Sequence, residues 1–235
     1  MTSFAYRDGN TECEGYVARP AGAGPHPAVL IAHNWAGQGE ADNENARRLA
    51  ALGYAGFAID VYGKGKRGDM AGDNSHLMNP WMGDRAGLQK RLLAAVAAVA
   101  ADPMVDAERI AIIGFCFGGL CALDIARSGS PEIKGAVSFH GVYAPSGLPA
   151  KPIKAKVLVL DGWLDPLCPP DAKTALQAEL EAGGADWQFL SFGGTYHAFT
   201  NKGANNPAGG AQYNATTERR AWAATEAFLA EVFAG

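Results

Sequence analysis

The segment with the clearest chemical potential is Gly114-Phe115-Cys116-Phe117-Gly118-Gly119, which follows a run of apolar residues. A strand that leads through Gly-x-Cys-x-Gly into a helix is typical of a sharp turn that lifts a nucleophile above a sheet. Glycine is needed two positions before and after the cysteine, because side chains there would collide with the adjoining strand and helix. The pattern therefore predicts Cys116 as a nucleophile.

The helix that is predicted to begin at Phe117 would assist Cys116 in two ways. The N-terminal end of its dipole favours the thiolate form of the sulfur. The backbone N–H of Phe117 has no acceptor within the helix, so it can donate to an oxyanion that develops during acyl transfer. The alternative is that Cys116 is only a small buried residue at a glycine-rich turn, as many free cysteines are.

A thiol nucleophile needs a base and a group that orients the base, and two later strand ends offer both. His197 follows the last predicted strand in a loop that contains two glycines. Asp161 and Asp165 lie at the end of the strand before it. We predict Asp165 as the orienting acid, because Asp161 still belongs to the strand. Cysteine, aspartate and histidine in this chain order match a known arrangement of hydrolytic triads. The alternative is that His197 caps a turn and Asp165 starts one.

The elements that must position these residues follow from the alternation of apolar and amphipathic segments. This alternation predicts an α/β fold, with a mostly parallel central sheet and helices on both faces. Residues 11–19 are expected to add antiparallel edge strands. The polar stretch 64–83 has no clear periodicity, and it is expected to form an excursion over the site. No repeat or linker divides the chain, so we predict a single domain over residues 1–235. The predicted strands are 28–32, 54–61, 109–114, 135–140, 156–161 and 187–192, and the predicted helices are 43–52, 84–101, 117–127, 171–182 and 217–233.

Composition argues against several classes of partner. The net charge of the chain is −4 and the only basic run is Lys64-Gly65-Lys66-Arg67, so we expect no nucleic acid partner. No apolar stretch approaches the roughly 18 residues of a membrane span, so we expect no membrane partner. The first residues lack the pattern of a secretory signal, and the four cysteines lack metal-ligand or disulfide spacing. A cytoplasmic protein without a bound metal is the expectation.

At these residues the chain resembles the dienelactone hydrolase (carboxymethylenebutenolidase) family of the α/β-hydrolase superfamily, from Pro27 through the final predicted helix. This resemblance implies hydrolysis of an ester or lactone through an acyl-cysteine intermediate, without a cofactor or metal. It also implies that the N–H of Trp35, in the loop after the first buried strand, is a second oxyanion donor. The segments that carry the resemblance are Gly114-Phe115-Cys116-Phe117-Gly118-Gly119, Asp161-Gly162-Trp163-Leu164-Asp165-Pro166 and Tyr196-His197-Ala198-Phe199.

The chain departs from the family at Asn34, where the resemblance places a glutamate that contacts the resting cysteine and takes part in its activation. An amide cannot take up a proton as a carboxylate can, so a general carboxylesterase or lactonase is a better expectation than a dienelactone-specific enzyme. Arg85 and Arg91 are candidates to bind a substrate carboxylate, and a solvated helix face is the alternative. Asn34 and Arg85 are expected to contact the substrate. The aromatic rings of Trp35 and Trp163 are expected to contact it too, because these two residues flank predicted catalytic positions.

The remaining histidines and cysteines near these segments are interpreted as structural. His33 and His140 end predicted strands and are expected to satisfy local backbone groups, while Cys121 and Cys168 are expected in the core. The sequence thus predicts a hydrolase of small esters or lactones, as a monomer or weak homo-oligomer. Two alternatives stay open, namely a thiol-reactive or ligand-binding protein without turnover on the same fold, and an acyltransferase.

Overall fold

The computed structural model describes residues 2–234, so Met1 and Gly235, the ends of the predicted domain, lie outside the described residues. The strands are β1 (Ser3–Asp8), β2 (Thr11–Ala18), β3 (His26–Ala32), β4 (Ala55–Ile59), β5 (Val105–Phe115), β6 (Ile133–Phe139), β7 (Lys156–Gly162), β8 (Trp187–Phe192), β9 (Asn205–Asn206) and β10 (Ala211–Gln212). The helices are α1 (Glu40–Ala51), α2 (Ser75–Gly83), α3 (Arg85–Ala100), α4 (Phe117–Arg127), α5 (Pro170–Ala182) and α6 (Ala215–Phe233).

Eight of the described strands form one sheet in the order β1-β2-β4-β3-β5-β6-β7-β8. The strands from β4 to β8 in this order pair in parallel, and β2 pairs antiparallel with both β1 and β4. The predictions of a mostly parallel sheet and of an antiparallel edge at residues 11–19 are confirmed. Strand β1 was not predicted, because its alternation of exposed residues with the buried Phe4 and Tyr6 is short.

Helices cover both faces of the sheet, which confirms the predicted α/β architecture. On one face, Val29 and Ile31 of β3 belong to a buried cluster with Leu49 of α1 and Trp222 of α6. On the other face, Leu30 belongs to a cluster that also contains apolar side chains of α3, α4 and α5. No helix within residues 2–234 combines the length and the apolar character that crossing a bilayer requires.

Helices α1 and α2 differ most from the sequence expectation, and the bounds of α3, α5 and α6 differ by one or two residues. Helix α2 lies inside the stretch 64–83, where no helix was predicted, because it has only nine residues and Pro80 lies inside it. Its partly buried apolar side chains pack against the core, namely Leu77, Met78, Trp81 and Met82. Helix α1 begins at Glu40, three residues earlier than predicted, since the Asp42 carboxylate accepts the N–H of Gly39 at 2.9 Å and caps the first turn. Its predicted end at Gly53 is confirmed, where a φ of +94° favours glycine.

Parallel pairing brings the carboxyl ends of β3 to β8 to one edge of the sheet. The residues that follow these ends are therefore neighbours in space although they are far apart in the chain. They include the predicted nucleophile after β5, the two aspartates at the end of β7 and the histidine after β8. The fold thus places the predicted reactive groups along a single edge.

Candidate active site

Cys116 occupies a sharp turn between β5 and α4. Its backbone has φ +57° and ψ −114°, a conformation that side-chain-bearing residues rarely adopt. A Cβ on Gly114 would lie 1.9 Å from the carbonyl oxygen of Gly118, and a Cβ on Gly118 would lie 2.0 Å from the carbonyl oxygen of Ala32. The two glycines are therefore required by close backbone approach, as the sequence pattern indicated. Cys116 is partly exposed, in contrast to the buried residues on either side of it.

His197 is held in place by its side chain and by its backbone. Its Nδ1 lies 2.7 Å from Oδ2 of Asp165. Its N–H donates to the carbonyl of Gly210, and its own carbonyl accepts from the N–H of Gln212, so the segment around β10 clamps the loop. Asp165 is buried, and its Oδ1 accepts the N–H of Leu167 at 2.9 Å. The Asp165 carboxylate can therefore fix the orientation of the imidazole.

The surroundings of His197 favour its charged form. Burial by itself would lower the pKa of His197, but the nearby Cys116 sulfur and the Asp165 carboxylate together raise this pKa to about 10. The imidazole is thus easier to protonate than a free histidine, and it lies between a carboxylate and a sulfur. This arrangement suits an imidazolium that stabilises a thiolate and later gives up its proton.

Asp161, the other candidate for the orienting acid, is bound to different groups. Its carboxylate lies 2.7 Å from Nζ of Lys173 and accepts from the hydroxyls of Ser191 and Tyr143 at 2.6 and 3.2 Å. Lys173, which is almost fully buried, also donates to the carbonyls of Gly162 and Trp163 at 3.0 and 3.2 Å. The pair therefore anchors the turn that precedes Asp165. Sequence reasoning missed Lys173, because it lies on α5 and no local pattern links it to β7.

The two predicted oxyanion donors lie in segments that begin at strand ends. Phe117 is the first residue of α4, and Trp35 lies in the loop after β3. Within residues 2–234, neither backbone N–H has an intramolecular acceptor. The Tyr62 hydroxyl donates to the carbonyl of Trp35 at 3.1 Å and so fixes one side of the loop. Both N–H groups are thus available to a bound substrate.

His33 stabilises the loop that carries Trp35. Its Nδ1–H donates to the carbonyl of Asn34 at 2.7 Å, and its Nε2 accepts the N–H of Val61 at 3.1 Å. These contacts require the neutral Nδ1–H tautomer, and they agree with the interpretation that His33 satisfies local backbone groups. The Asn34 side chain accepts the N–H of Ala36 at 2.8 Å. Its amide oxygen therefore closes a turn within its own loop, and the contact of Asn34 with a substrate stays a prediction.

The His33 hydrogen bonds predict a loss of stability in mild acid. Burial lowers the pKa of His33 to about 4 in the folded protein, whereas the unfolded side chain titrates near its ordinary value of about 6.5. The unfolded chain therefore binds the proton first, and this contribution to stability is lost as pH falls from about 6.5 towards 4. At pH 5 we expect a loss of about 2 kcal/mol relative to neutral pH.

Urea unfolding of the wild type and of His33→Gln at pH 7 and pH 5 measures this effect. Glutamine keeps an acceptor for the N–H of Val61 but does not titrate, so the difference in unfolding free energy between the two proteins should change with pH. Parallel pH dependences for the two proteins would contradict the prediction.

The two arginines considered for substrate binding have other partners. The Arg85 guanidinium is buried, and it forms a two-pronged ion pair with the buried carboxylate of Asp124 on α4. Arg91 donates to Asp8 at 2.8 Å and to the carbonyl of Val61 at 2.9 Å. The Arg85 guanidinium is thus occupied by Asp124, and its contact with a substrate stays a prediction. Its charge helps to neutralise Asp124, which Arg127 also contacts at 3.1 Å, since a buried carboxylate is costly without a partner.

The two predicted aromatic contacts differ in exposure. The side chain of Trp35 is partly buried against the core, and the backbone N–H of the same residue is the predicted oxyanion donor. Trp163 is 54% exposed, and Nζ of Lys173 lies 5.0 Å from the centre of its ring. Trp163 therefore covers the buried lysine on one side, and its contact with a substrate stays a prediction.

The other three cysteines are buried, in contrast to Cys116. Burial raises the pKa of Cys121 and of Cys168 above the ordinary thiol value, and Cys168 donates to the carbonyl of Gly141 at 3.0 Å. Both are thus protonated core residues, as expected. Among the described residues, no group of three or more His, Cys, Asp or Glu side chains is arranged to hold a metal ion.

Comparisons with known proteins find relatives that share this fold. A crystallised dienelactone hydrolase-like promiscuous phosphotriesterase from metagenomic libraries is 35% identical, covers 98% of this chain and 97% of its own, and superimposes with a TM-score of 0.89. A protein of Aquifex aeolicus that carries the provisional name carboxymethylenebutenolidase is 28% identical over 84% of this chain and 86% of its own length. An α/β hydrolase from a deep-sea metagenome library is 15% identical, covers 99% and 98% of the two chains, and shares the fold with a TM-score of 0.68.

The model of the dienelactone hydrolase family matches residues 13–233, nearly the whole chain. The expected α/β-hydrolase fold is confirmed by the parallel sheet and by these structural neighbours. The expected enzyme class, a hydrolase of carboxylic esters or lactones, is confirmed at the level of the family. The chain belongs to the dienelactone hydrolase family.

Proposed function

We propose that this protein hydrolyses small, uncharged esters or lactones through an acyl-Cys116 intermediate. The observation that carries the proposal is the contact of His197 with Asp165 at 2.7 Å beside the partly exposed Cys116 in its strained turn. A protonated imidazole next to the sulfur stabilises the thiolate, which is the nucleophilic form of cysteine. Cys116, His197 and Asp165 would then act as nucleophile, base and orienting acid.

In the first half-reaction, the Cys116 thiolate attacks the carbonyl carbon of the substrate. The carbonyl oxygen becomes an oxyanion and accepts hydrogen bonds from the N–H groups of Phe117 and Trp35. When the tetrahedral intermediate collapses, the carbon–oxygen bond to the leaving group breaks and His197 donates its proton to the departing alkoxide. An ester releases an alcohol, whereas a lactone keeps the new hydroxyl on the acyl chain.

In the second half-reaction, the neutral His197 accepts a proton from a water molecule that attacks the thioester carbon. The oxyanion forms again in the same site, and its collapse expels the Cys116 thiolate and releases the carboxylic acid. Asp165 keeps the imidazole in the tautomer that exposes Nε2 and stabilises its charged form. The thiolate and imidazolium are then restored for the next turnover.

The lining of the site favours uncharged substrates over the carboxylate-bearing dienelactones. Asn34 stands where the family resemblance implies a glutamate, and its amide oxygen is bonded to Ala36. The guanidinium of Arg85 forms an ion pair with Asp124, and that of Arg91 forms an ion pair with Asp8. Neither of these two arginines then offers an unpaired positive charge to a substrate carboxylate.

Trapping the intermediate tests the proposal directly. We expect a burst of p-nitrophenol with p-nitrophenyl acetate, and one acetyl group on the tryptic peptide that contains Cys116 in acid-quenched samples. The adduct should decay at the steady-state rate of hydrolysis. Turnover without an adduct on Cys116 would refute the acyl-cysteine mechanism.

The same experiment separates the alternative functions. A stable adduct that never turns over would indicate a thiol-reactive or ligand-binding protein. Faster release of p-nitrophenol with added alcohols or thiols, accompanied by acylated acceptor, would indicate an acyltransferase. Hydrolysis that is indifferent to acceptors supports the proposed hydrolase.

Phosphate triesters are a second candidate substrate class. A relative that is 35% identical over nearly the whole chain is named a promiscuous phosphotriesterase. An uncharged triester also has an electrophilic centre and an oxygen that can accept the two N–H donors. Turnover of a p-nitrophenyl phosphate triester by the wild type but not by Cys116→Ala would assign this activity to the same site.

A further inference from the structure

His140, at the end of β6, has a strained backbone next to the candidate site. Three non-glycine residues among residues 2–234 have positive φ, namely Cys116, His140 and Ala198. The first is the proposed nucleophile and the last directly follows the proposed base. His140 has a φ of +36°, and its N–H is fixed by the carbonyl of Leu160 at 2.8 Å. Strain of this kind persists only where the surroundings enforce it, and it is common at functional sites.

The His140 ring packs directly against the ring of His197. The two ring centres lie 5.1 Å apart and the ring planes are inclined by 70°. On another side the ring of Phe199 lies 4.9 Å away in an edge-to-face contact. Nε2 of His140 is 2.8 Å from the hydroxyl of Thr200, which belongs to the same loop as His197. His140 thus links the end of β6 to the loop that carries the proposed base.

The local chemistry indicates a neutral His140 ring with its proton on Nε2. Burial and the charge of His197 both lower the pKa of His140 well below its ordinary value, so it stays uncharged beside the imidazolium. Its Nδ1 is buried and has no hydrogen-bond partner among the described residues. A buried ring nitrogen without a proton costs less free energy than a buried N–H without an acceptor. The proton therefore lies on Nε2, which donates to Thr200. A neutral ring can support a charged imidazole without repelling it.

We propose that His140, held by Thr200, is a positioning residue that keeps the His197 imidazole aligned between Asp165 and Cys116. The proposal rests on the role of His197 in the proposed function. During the reaction His197 must point the same nitrogen first at the leaving group and then at water. Asp165 fixes one end of the ring, but a single hydrogen bond leaves the ring free to tilt about it. The His140 ring on its flank removes this freedom.

Four variants test the proposal. His140→Ala removes the ring, whereas His140→Phe and Thr200→Val keep an aromatic ring but lose the hydrogen bond. His76→Ala, at an exposed histidine on α2, is the control. For each protein, the p-nitrophenol burst counts the functional sites, so kcat is expressed per active site and misfolded protein does not contribute. The far-downfield proton resonance of His197 Nδ1 reports on the contact with Asp165.

We expect His140→Ala to lower kcat per active site by about 10²-fold with little change in KM, because a small misalignment of a reacting group is costly. Its downfield resonance should broaden or vanish. His140→Phe and Thr200→Val should show similar, smaller losses, and His76→Ala should behave as the wild type. The proposal is overturned if His140→Ala keeps its kcat per active site, or if His140→Phe is as impaired as His140→Ala.

A Cys116→Ala protein in the same assay separates this inference from the proposed function. If Cys116→Ala turns over as the wild type does, the proposed function fails irrespective of His140. If the burst depends on Cys116 but His140→Ala keeps its kcat per active site, only the positioning role fails.

Discussion

Cys116→Ala is expected to lower kcat/KM for p-nitrophenyl acetate by about 10³-fold or more, since removal of a nucleophile leaves only binding and oxyanion stabilisation. The fold should be retained, because Cys116 is partly exposed and alanine is a small change at the turn. Cys121→Ala is the matched control, as this buried thiol lies on the adjoining helix. We expect that control to keep nearly wild-type turnover, measured as p-nitrophenol release with circular dichroism as the check on folding.

Cys116→Ser refines this prediction. A serine hydroxyl is far less acidic than a thiol, so an imidazolium at His197 cannot hold it as an alkoxide. We expect retained substrate binding with weak turnover. Equal or higher turnover in the serine variant would mean that the site is built for serine and merely tolerates sulfur. Comparable losses in Cys116→Ala and Cys121→Ala would locate the chemistry elsewhere.

Asp165→Asn is expected to lower kcat by about 10³- to 10⁴-fold, with a much smaller change in KM. An asparagine amide can donate to Nδ1 of His197, which favours the tautomer with its proton on Nε2, so the nitrogen that should accept a proton during the reaction is already protonated. The variant also removes a carboxylate that raises the pKa of His197, so this pKa should fall. Steady-state kinetics and NMR titration of the imidazole measure the two effects.

Asp161→Asn is the matched control for this prediction, because the residue lies four positions earlier at the end of the same strand. Its carboxylate binds Lys173 rather than His197. We expect Asp161→Asn to lower the stability of the fold but to keep most of the kcat per active site. A larger loss of kcat in Asp161→Asn than in Asp165→Asn would reverse the assignment of the orienting acid.

The helices and strands could be predicted where a local rule is strong. The buried strands at the centre of the sheet were recognised, because parallel strands covered on both faces are continuously apolar. Helix α2 was missed, since it is only nine residues long, contains Pro80 and buries none of its residues completely. Strand β1 was missed for a related reason, because its alternating pattern is short and depends on pairing with β2.

The candidate site was predictable as far as its residues obey short-range geometry. The glycines around Cys116 reflect contacts of 1.9 and 2.0 Å that any Cβ would make, so spacing alone indicates the turn. Asp161 and Asp165 could both be named from their place at a strand end. The prediction of Asp165 relied only on the position of Asp161 within the strand. Which carboxylate faces the loop after β8 depends on the tertiary structure.

By itself, the sequence determined the parallel α/β architecture, the sharp turn at Cys116 and the placement of an acid and a histidine at neighbouring strand ends. These features follow from steric limits and from apolar periodicity, which act over a few residues. Only the tertiary structure decided that Asp165 faces His197, that Asp124 binds Arg85 and that the ring of His140 packs against that of His197. Such contacts join residues from separate elements, and their charge and packing energies depend on distances that no local pattern encodes.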